Sequence, residues 1–250
     1  MSKIDILGVR VDDIGGKELE RAIIETVEAK KKEVFAYANV HAINLARTNG
    51  SLREFLNRAF IVYCDGEGVR LGARILGADL PPKTALTRWI WDLGGLFEER
   101  GISVYLLGGG KGTVAAAGGR LCARYPRLKL AGYHHGYFDR TGPENAGVID
   151  SINRGSPDVI FVGFGMPGQE WWIEQNISQL KVHAIIPCGG MIDYLSGEVP
   201  VAPEWMSENG LEWLYRLARD PVRLWWRYLV GNPVFMFRVL RERIMNGRRE

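Results

Sequence analysis

The sequence predicts an α/β protein: a Rossmann-like, mostly parallel sheet with helices on both faces, plus a C-terminal helical appendage. Three observations predict it. Short apolar runs alternate with stretches of helical periodicity through the first 200 or so residues, the pattern of β-strand, helical crossover, parallel β-strand. Six runs end in glycine or polar punctuation: Asn39, Asp65-Gly66, Gly108–Gly110, His134-His135-Gly136, Gly163/Gly165 and Gly189-Gly190. In open α/β sheets ligands bind outside the carboxyl ends of the strands. After Pro203 the alternation gives way to short helical patterns rich in Trp and Arg. The expected organisation is a core over 1–203 and an appendage over 204–250.

The elements follow in order. Ile4–Leu7 and Val9–Val11 are short strands on either side of Gly8, and Lys17–Lys30 has its apolar residues close to helical spacing. Val34–Ala38 is a strand ending at Asn39, and one helical stretch carries Ala42, Ile43, Leu45, Ala46, Leu52, Phe55 and Leu56. Phe60–Cys64 is a buried-type strand before Asp65-Gly66, with Gly68–Leu76 helical behind it. Past Pro81-Pro82, Thr87–Arg100 is a helix. Val104–Leu107, Leu128–Tyr133, Val159–Val162 and Val182–Pro187 are strands; Thr113–Arg124, Ala146–Asn153 and Glu170–Gln179 are helices between them. In the appendage Ser207, Asp220 and Asn232 look like N-caps, with Pro221 and Pro233 at the first helical position. They predict helices over about 208–219, 221–230 and 233–246.

Composition narrows the function. The net charge of +3 is too small to point to nucleic acid, but it is uneven: Leu211–Glu250 holds nine Arg and four acids, so the rest of the chain is slightly acidic. Arg with Trp, Leu and Phe on short helices suits a membrane interface or a partner surface; the alternative is a helical cap with Trp in the core. Three cysteines without CxxC spacing (Cys64, Cys122, Cys188) fit buried thiols in a reducing compartment. The N-terminus carries Lys3 and Asp5 rather than an apolar signal segment, and no run approaches the roughly 18 apolar residues of a membrane span. The expectation is a cytoplasmic chain, peripheral on the inner face of the membrane.

Several motifs carry chemistry. Gly163-Phe164-Gly165-Met166-Pro167-Gly168-Gln169-Glu170 joins a strand to a helix; its glycines let a ligand reach backbone N–H groups, and a helix N-terminus favours negative charge. An ordinary strand-to-helix turn would read the same. Gly110-Lys111-Gly112-Thr113-Val114-Ala115 formally fits GxGxxG/A, yet the next strand ends in His134-His135 rather than the acid a dinucleotide site needs, and Lys111 is not followed by Ser or Thr. Adjacent His134 and His135 would face opposite sides of a strand, and no metal-ligand spacing occurs, so no metal or cofactor is expected. Asp65, directly after an apolar strand, is placed to take a proton from an attacking hydroxyl, or to cap the following helix. Asn39 either bonds a sugar hydroxyl or caps its helix. Asp193 can accept from ribose hydroxyls or cap a turn, and Tyr137 can stack on a base or join Phe138 in the core.

Together these residues bear a resemblance. The G-x-G-x-P-x-Q-E pattern of 163–170 resembles that of the WecG/TagA/CpsF family of bacterial glycosyltransferases. Asn39 with Asn44-Leu45-Ala46, Asp65-Gly66-x-Gly68, Leu107-Gly108-Gly109, Gly132-x-x-x-Gly136-Tyr137-Phe138, Gly189-Gly190-x-x-Asp193, Ala202-Pro203-x-Trp205, Gly210–Leu217 and Pro221-x-Arg223 follow the family order along nearly the whole chain. The resemblance implies an inverting, metal-independent transfer of an N-acetylmannosamine-like sugar from a UDP-sugar to a polyprenyl-diphosphate-linked sugar, in teichoic-acid or other cell-surface polysaccharide synthesis. It implies Asp65 as base. Asn39, Lys83, Arg88, Gly108, Gly109, Gly163, Gly165 and Gln169 fall on the substrate pocket, and Tyr137 and Asp193 on the uridine site. Arg216, Arg223, Trp225 and Arg227 of the basic tail would meet the membrane and the lipid acceptor. The chain departs from the family at Tyr37 (usually Thr), Lys83 (usually Arg), Arg88 (usually an acid) and Val201 (usually Arg). The expected partners are donor, lipid acceptor and membrane, with no nucleic acid and homo-oligomerisation left open. Two other readings remain at this point: a nucleotide-binding oxidoreductase using Gly110–Ala115, and a non-catalytic nucleotide-sugar-binding module docked on membranes.

Overall fold

A computed structural model describes residues 2–246 of the chain. They form a six-stranded sheet in the order β4-β3-β8-β7-β5-β6 and a separate hairpin, β1-β2. The pairings of β3 with β8, β8 with β7, β7 with β5 and β5 with β6 are parallel, and helices occupy the crossovers. The Rossmann-like expectation holds. The chain clusters into two compact units: residues 1–18, 37–84 and 201 onward form unit 1, and 19–36 with 85–200 form unit 2.

Unit 1 begins with the hairpin β1 (Lys3–Ile6) and β2 (Val9–Asp12). Leu7 and Gly8 both have positive φ (56° and 89°), as a two-residue hairpin loop requires. Asp12, at the end of β2, is buried; its carboxylate accepts from the Val62 N–H (2.8 Å) and pairs with Lys3 (3.3 Å). Strand β4 (Ile61–Cys64) is buried throughout and runs into α4 (Glu67–Ile75). The predicted single helix over Ala42–Leu56 is two, α2 (Val40–Thr48) and α3 (Gly50–Arg58). Asn49 divides them: its side chain accepts from the Leu52 N–H (3.0 Å), starting a new helix.

The tail of unit 1 holds α10 (Glu204–Glu208), α11 (Glu212–Arg219), α12 (Pro221–Trp225) and α13 (Gly231–Asn246). Of the three predicted caps only Asp220 acts, accepting from the Arg223 N–H (3.2 Å). Ser207 is instead buried inside α10. Asn232 and Pro233 lie within a helix, because a π-helical turn over Trp226–Val230 carries α12 into α13 without a break. Proline lacks the N–H of an α-helical bond and its ring crowds the preceding turn; a wider turn just upstream accommodates it. Helix α13 packs on α2 and α4. Phe235 and Val239 are completely buried there, and a Cβ on Gly72 of α4 would lie 2.7 Å from the Phe235 ring. Asn44 of α2 donates to the Gly231 carbonyl (2.7 Å) and accepts from Arg238 (2.9 Å).

Unit 2 carries α1 (Gly16–Glu28) from its second turn and the start of β3 (Glu33–Ala38), then α5 (Leu86–Arg100), β5 (Ser103–Gly108), α6 (Lys111–Arg124), β6 (Lys129–His134), α7 (Pro143–Gly155), β7 (Val159–Gly163), α8 (Gly168–Asn176), β8 (Ala184–Pro187) and α9 (Met191–Ser196). Residues 104–107, 159–162 and 184–186 are buried without alternation, as strands covered on both faces must be. The short helices α9 and α10 had no periodic signal in the sequence, being only one to two turns long.

Candidate active site

In unit 1, β3 and β4 deliver Asn39 and Asp65. The Asp65 N–H donates to the Ala38 carbonyl (2.9 Å), holding the two strand ends side by side. Asn39 caps α2 by accepting from the Ala42 N–H (3.0 Å), and its side chain also bonds the Asp65 carboxyl. Asp65 does not cap α4; Gly66 stands at that position, with no side-chain cap. The residue is half-buried, and its surroundings raise the carboxyl pKa from 3.8 to about 7. Loss of solvent is the largest cause. Arg216 lowers the value, Glu212 raises it, and the Asn39 hydrogen bond and Arg227 lower it further. A group that gains or loses its proton near neutrality suits general-base chemistry.

The tail supplies the remaining groups of this site. Arg216 and Lys83 flank Glu212, which pairs with Arg216 and lies 3.7 Å from the Lys83 ammonium. Lys83 also donates to the Ser207 carbonyl (3.1 Å). His41, in the first turn of α2, has its pKa lowered to about 4 by burial and by Arg227, so it is neutral at physiological pH. Arg223 pairs with Asp220 (2.6 Å) at the surface, and Trp225 is exposed beside it.

In unit 2 the glycine turns are packed against one another. A Cβ at Gly108 would lie 2.4 Å from the Gly163 carbonyl oxygen, and one at Gly163 would lie 2.7 Å from that of Gly189. Both glycines are therefore needed for close packing of the strand ends, whatever they also present to a ligand. Gly109 (φ 62°) faces Asp193, whose Oδ1 would be 3.5 Å from a Cβ there; Asp193 sits in the first turn of α9. Gly165 (φ 76°) has open space where a side chain would be. Tyr137 is 80% exposed, so it stands outside the core. Arg88 is half-buried in the first turn of α5.

Gln169 has no exposed surface. Its Oε1 accepts from the Gly189 N–H (2.9 Å) and its Nε2 donates to Glu170 Oε1 (2.7 Å). Glu170 is equally buried, its Oε2 has no hydrogen-bond partner, and burial raises its pKa to about 7. The pair thus ties the β7–α8 turn to the β8–α9 turn from inside. The GxGxxG-like loop is differently engaged: Thr113 donates to the Glu198 carboxylate (2.9 Å) in the first turn of α6, where a negative side chain opposes a phosphate. His134 and His135 do not face apart as expected. β6 ends at His134, which frees His135 from the pleat, and the ring centroids lie 4.4 Å apart with the planes tilted by 31°.

Four groups were not singled out in the sequence. Glu212 had one usable signal, its i,i+4 spacing to Arg216. Glu170 stood in the sequence as the last residue of the 163–170 motif and the start of a helix, and His41 stands alone there, without metal-ligand spacing. Arg140 had no signal: its guanidinium lies 4.0 Å over the Phe164 ring and donates to the Gly136 carbonyl (2.8 Å), bracing two loops of unit 2. Among the described residues no cluster of three His, Cys, Asp or Glu side chains could hold a metal ion.

Comparison with known proteins finds relatives along nearly the whole chain. The profile of the glycosyl transferase WecG/TagA/CpsF family matches residues 4–249. An N-acetylglucosaminyldiphosphoundecaprenol N-acetyl-beta-D-mannosaminyltransferase of Staphylococcus aureus (strain MW2) is 30% identical over 245 residues, covering 97% of this chain and 94% of the relative. The protein of the same name from Bacillus subtilis (strain 168) is 33% identical over 191 residues, 76% of this chain and 72% of the relative. A profile match over residues 4–249 and relatives at 30% and 33% identity lead to one assignment: the chain belongs to the WecG/TagA/CpsF family of glycosyltransferases.

Proposed function

We propose that this glycosyltransferase moves an N-acetylmannosamine-like sugar from a UDP-sugar to a polyprenyl-diphosphate-linked sugar, with inversion and without a metal, in cell-surface polysaccharide or teichoic-acid synthesis. The observation that carries this reading is Asp65: a carboxyl at the end of β4, poised near neutrality, bonded to Asn39 and within the field of Arg216 and Arg227. In the reaction an acceptor hydroxyl attacks the anomeric carbon, its proton passes to Asp65, the bond from that carbon to the diphosphate oxygen breaks, and UDP leaves. Direct displacement at an α-linked donor gives a β product, the anomer in the relatives' names.

Lys83, Arg216 and Arg227 are cations suited to a diphosphate, where fixed charge stabilises a leaving group without reorganisation. Asn39 orients Asp65 and offers its amide to a sugar. In unit 2, Tyr137 would stack on the uracil and Asp193 would accept from the ribose, with Gly108, Gly109, Gly163 and Gly165 giving close backbone approach and Gln169 fixing the Gly189 turn. Arg88 is a further residue of the proposed substrate pocket. The 204–250 appendage would dock on the inner membrane face: Trp225, Trp226 and Leu229 are exposed, and Val222 is 87% exposed, with Arg219 and Arg223 among them. No described helix is long and apolar enough to cross a membrane.

The test is turnover. With UDP-N-acetylmannosamine and a short-chain N-acetylglucosaminyl diphosphate lipid, the purified protein should release UDP and form a β-linked disaccharide lipid, with or without a chelator. UDP binding with no transfer from any UDP-sugar would instead support a non-catalytic binding module. Sedimentation with anionic vesicles checks docking: Trp225→Ser with Trp226→Ser should leave most of the protein in the supernatant.

A further inference from the structure

Within unit 1, one carboxylate is shared by two cations. Glu212, the first residue of α11, pairs through Oε1 with Arg216 one turn later, while its Oε2 lies 3.7 Å from Lys83 Nζ. Ser207 supports the arrangement: its carbonyl accepts from the same Nζ (3.1 Å) and its hydroxyl donates to Glu212 Oε2 (3.4 Å). The Lys83, Glu212 and Arg216 side chains are 14%, 16% and 26% exposed, so the charges are partly removed from water, where such pairs are screened least. Glu212 and Arg216 also act on Asp65 with opposite signs.

An ammonium and a guanidinium converging on oxygens of one anion is an arrangement suited to a diphosphate. Here that anion is a carboxylate of the protein itself, on a helix whose first residue is Glu212. A carboxylate brings one charge; a diphosphate brings two or more over a wider set of oxygens and competes for the same donors. We propose that Glu212 is a displaceable stand-in for the substrate's diphosphate, holding Lys83 and Arg216 in place between turnovers and setting how tightly the diphosphate is bound. This rests on the transferase reading. The ligand chemistry is a diphosphate, from either the nucleotide donor or the prenyl acceptor.

Calorimetric titration of inorganic pyrophosphate, UDP and farnesyl diphosphate into wild type, Glu212→Gln and Glu212→Ala tests it. Removing the competing charge should tighten pyrophosphate binding about tenfold, and whichever of UDP or farnesyl diphosphate follows identifies the source. The acid limb of the pH–rate profile should move to lower pH in Glu212→Gln, because loss of a negative neighbour makes Asp65 more acidic. A purely structural ion pair would do the reverse, weakening binding and lowering Tm together; unchanged or weaker pyrophosphate binding in folded variants overturns the proposal. Wild type gives a check that needs no change at Glu212: pyrophosphate should alter tryptophan emission, and Trp213→Phe should abolish the change. Absence of any change in wild type also overturns it. Tighter pyrophosphate binding without sugar transfer would sink the transferase reading alone. Transfer with unaltered pyrophosphate affinity would sink this inference alone.

Discussion

Asp65→Asn should make the protein more stable and nearly inactive, with the stability gain appearing only as pH rises. The Asp65 carboxyl moves from 3.8 to about 7 on folding. A folded-state pKa above the unfolded one means that the native state favours the protonated form. The stabilising effect is fully present below about pH 4 and is lost as pH rises through 7, where an ionised, desolvated carboxylate is left in the fold. Roughly three decades of proton affinity at about 1.4 kcal/mol each set an upper bound of ~4 kcal/mol. Relaxation and water penetration around a buried charge reduce the penalty well below this bound, and about 1–2 kcal/mol is the expectation. For a chain of this length that is a Tm gain of roughly 2–8 °C. Wild type and Asp65→Asn should melt together near pH 4, and the variant should melt higher at pH 8. On the activity side, wild-type kcat/KM should rise with unit slope to about pH 7 and then level. The variant should lose on the order of 10²–10⁴-fold. A stability difference that does not change with pH would refute the reasoning about burial. Retention of full activity would refute the assignment of the base.

Two other perturbations probe the interior. Glu170→Gln should remove a second destabilising ionisation: the wild-type carboxyl, raised from 4.5 to about 7 by burial, loses its favourable neutral state as pH rises through 7, so the Tm difference between variant and wild type should widen between pH 6 and 8.5. A constant difference would show that Glu170 keeps its charge state. Phe235→Ala empties a fully buried site between α13, α2 and α4 and should cost about 3–5 kcal/mol, read by denaturant unfolding together with faster proteolysis of the tail; a loss under ~1 kcal/mol would mean that α13 is not anchored there.

Much of the fold was legible in the chain because it is written in near-neighbour chemistry. The alternation of apolar runs with helical spacing gave the strands and crossovers. The two short strands around Gly8 were legible, and Asp220-Pro221 marked a helix start. Where the reading of the sequence slipped, the deciding group lay elsewhere in space or acted through backbone geometry. Asn49 splits what the apolar spacing joined, by offering the Leu52 N–H a local acceptor. Asn232-Pro233 look like a break, yet a π-helical turn and the burial of Phe235 keep the helix continuous.

The site divides in the same way. By itself the sequence determined that carboxylate, amide and glycine residues stand at the carboxyl ends of strands, because strand ends are set by local apolar runs. Only the tertiary structure decided what those residues are. Asp65 titrates near 7 because packing removes it from water, with Glu212 adding to the rise and Arg216 and Arg227 opposing it from about 150 positions away. Gln169 faces inward, bonded to Gly189 rather than toward solvent. Burial and electrostatics sum over every segment that packs around a group, whereas periodicity and capping depend on residues within a few positions; the first cannot be read from a short stretch, and the second can.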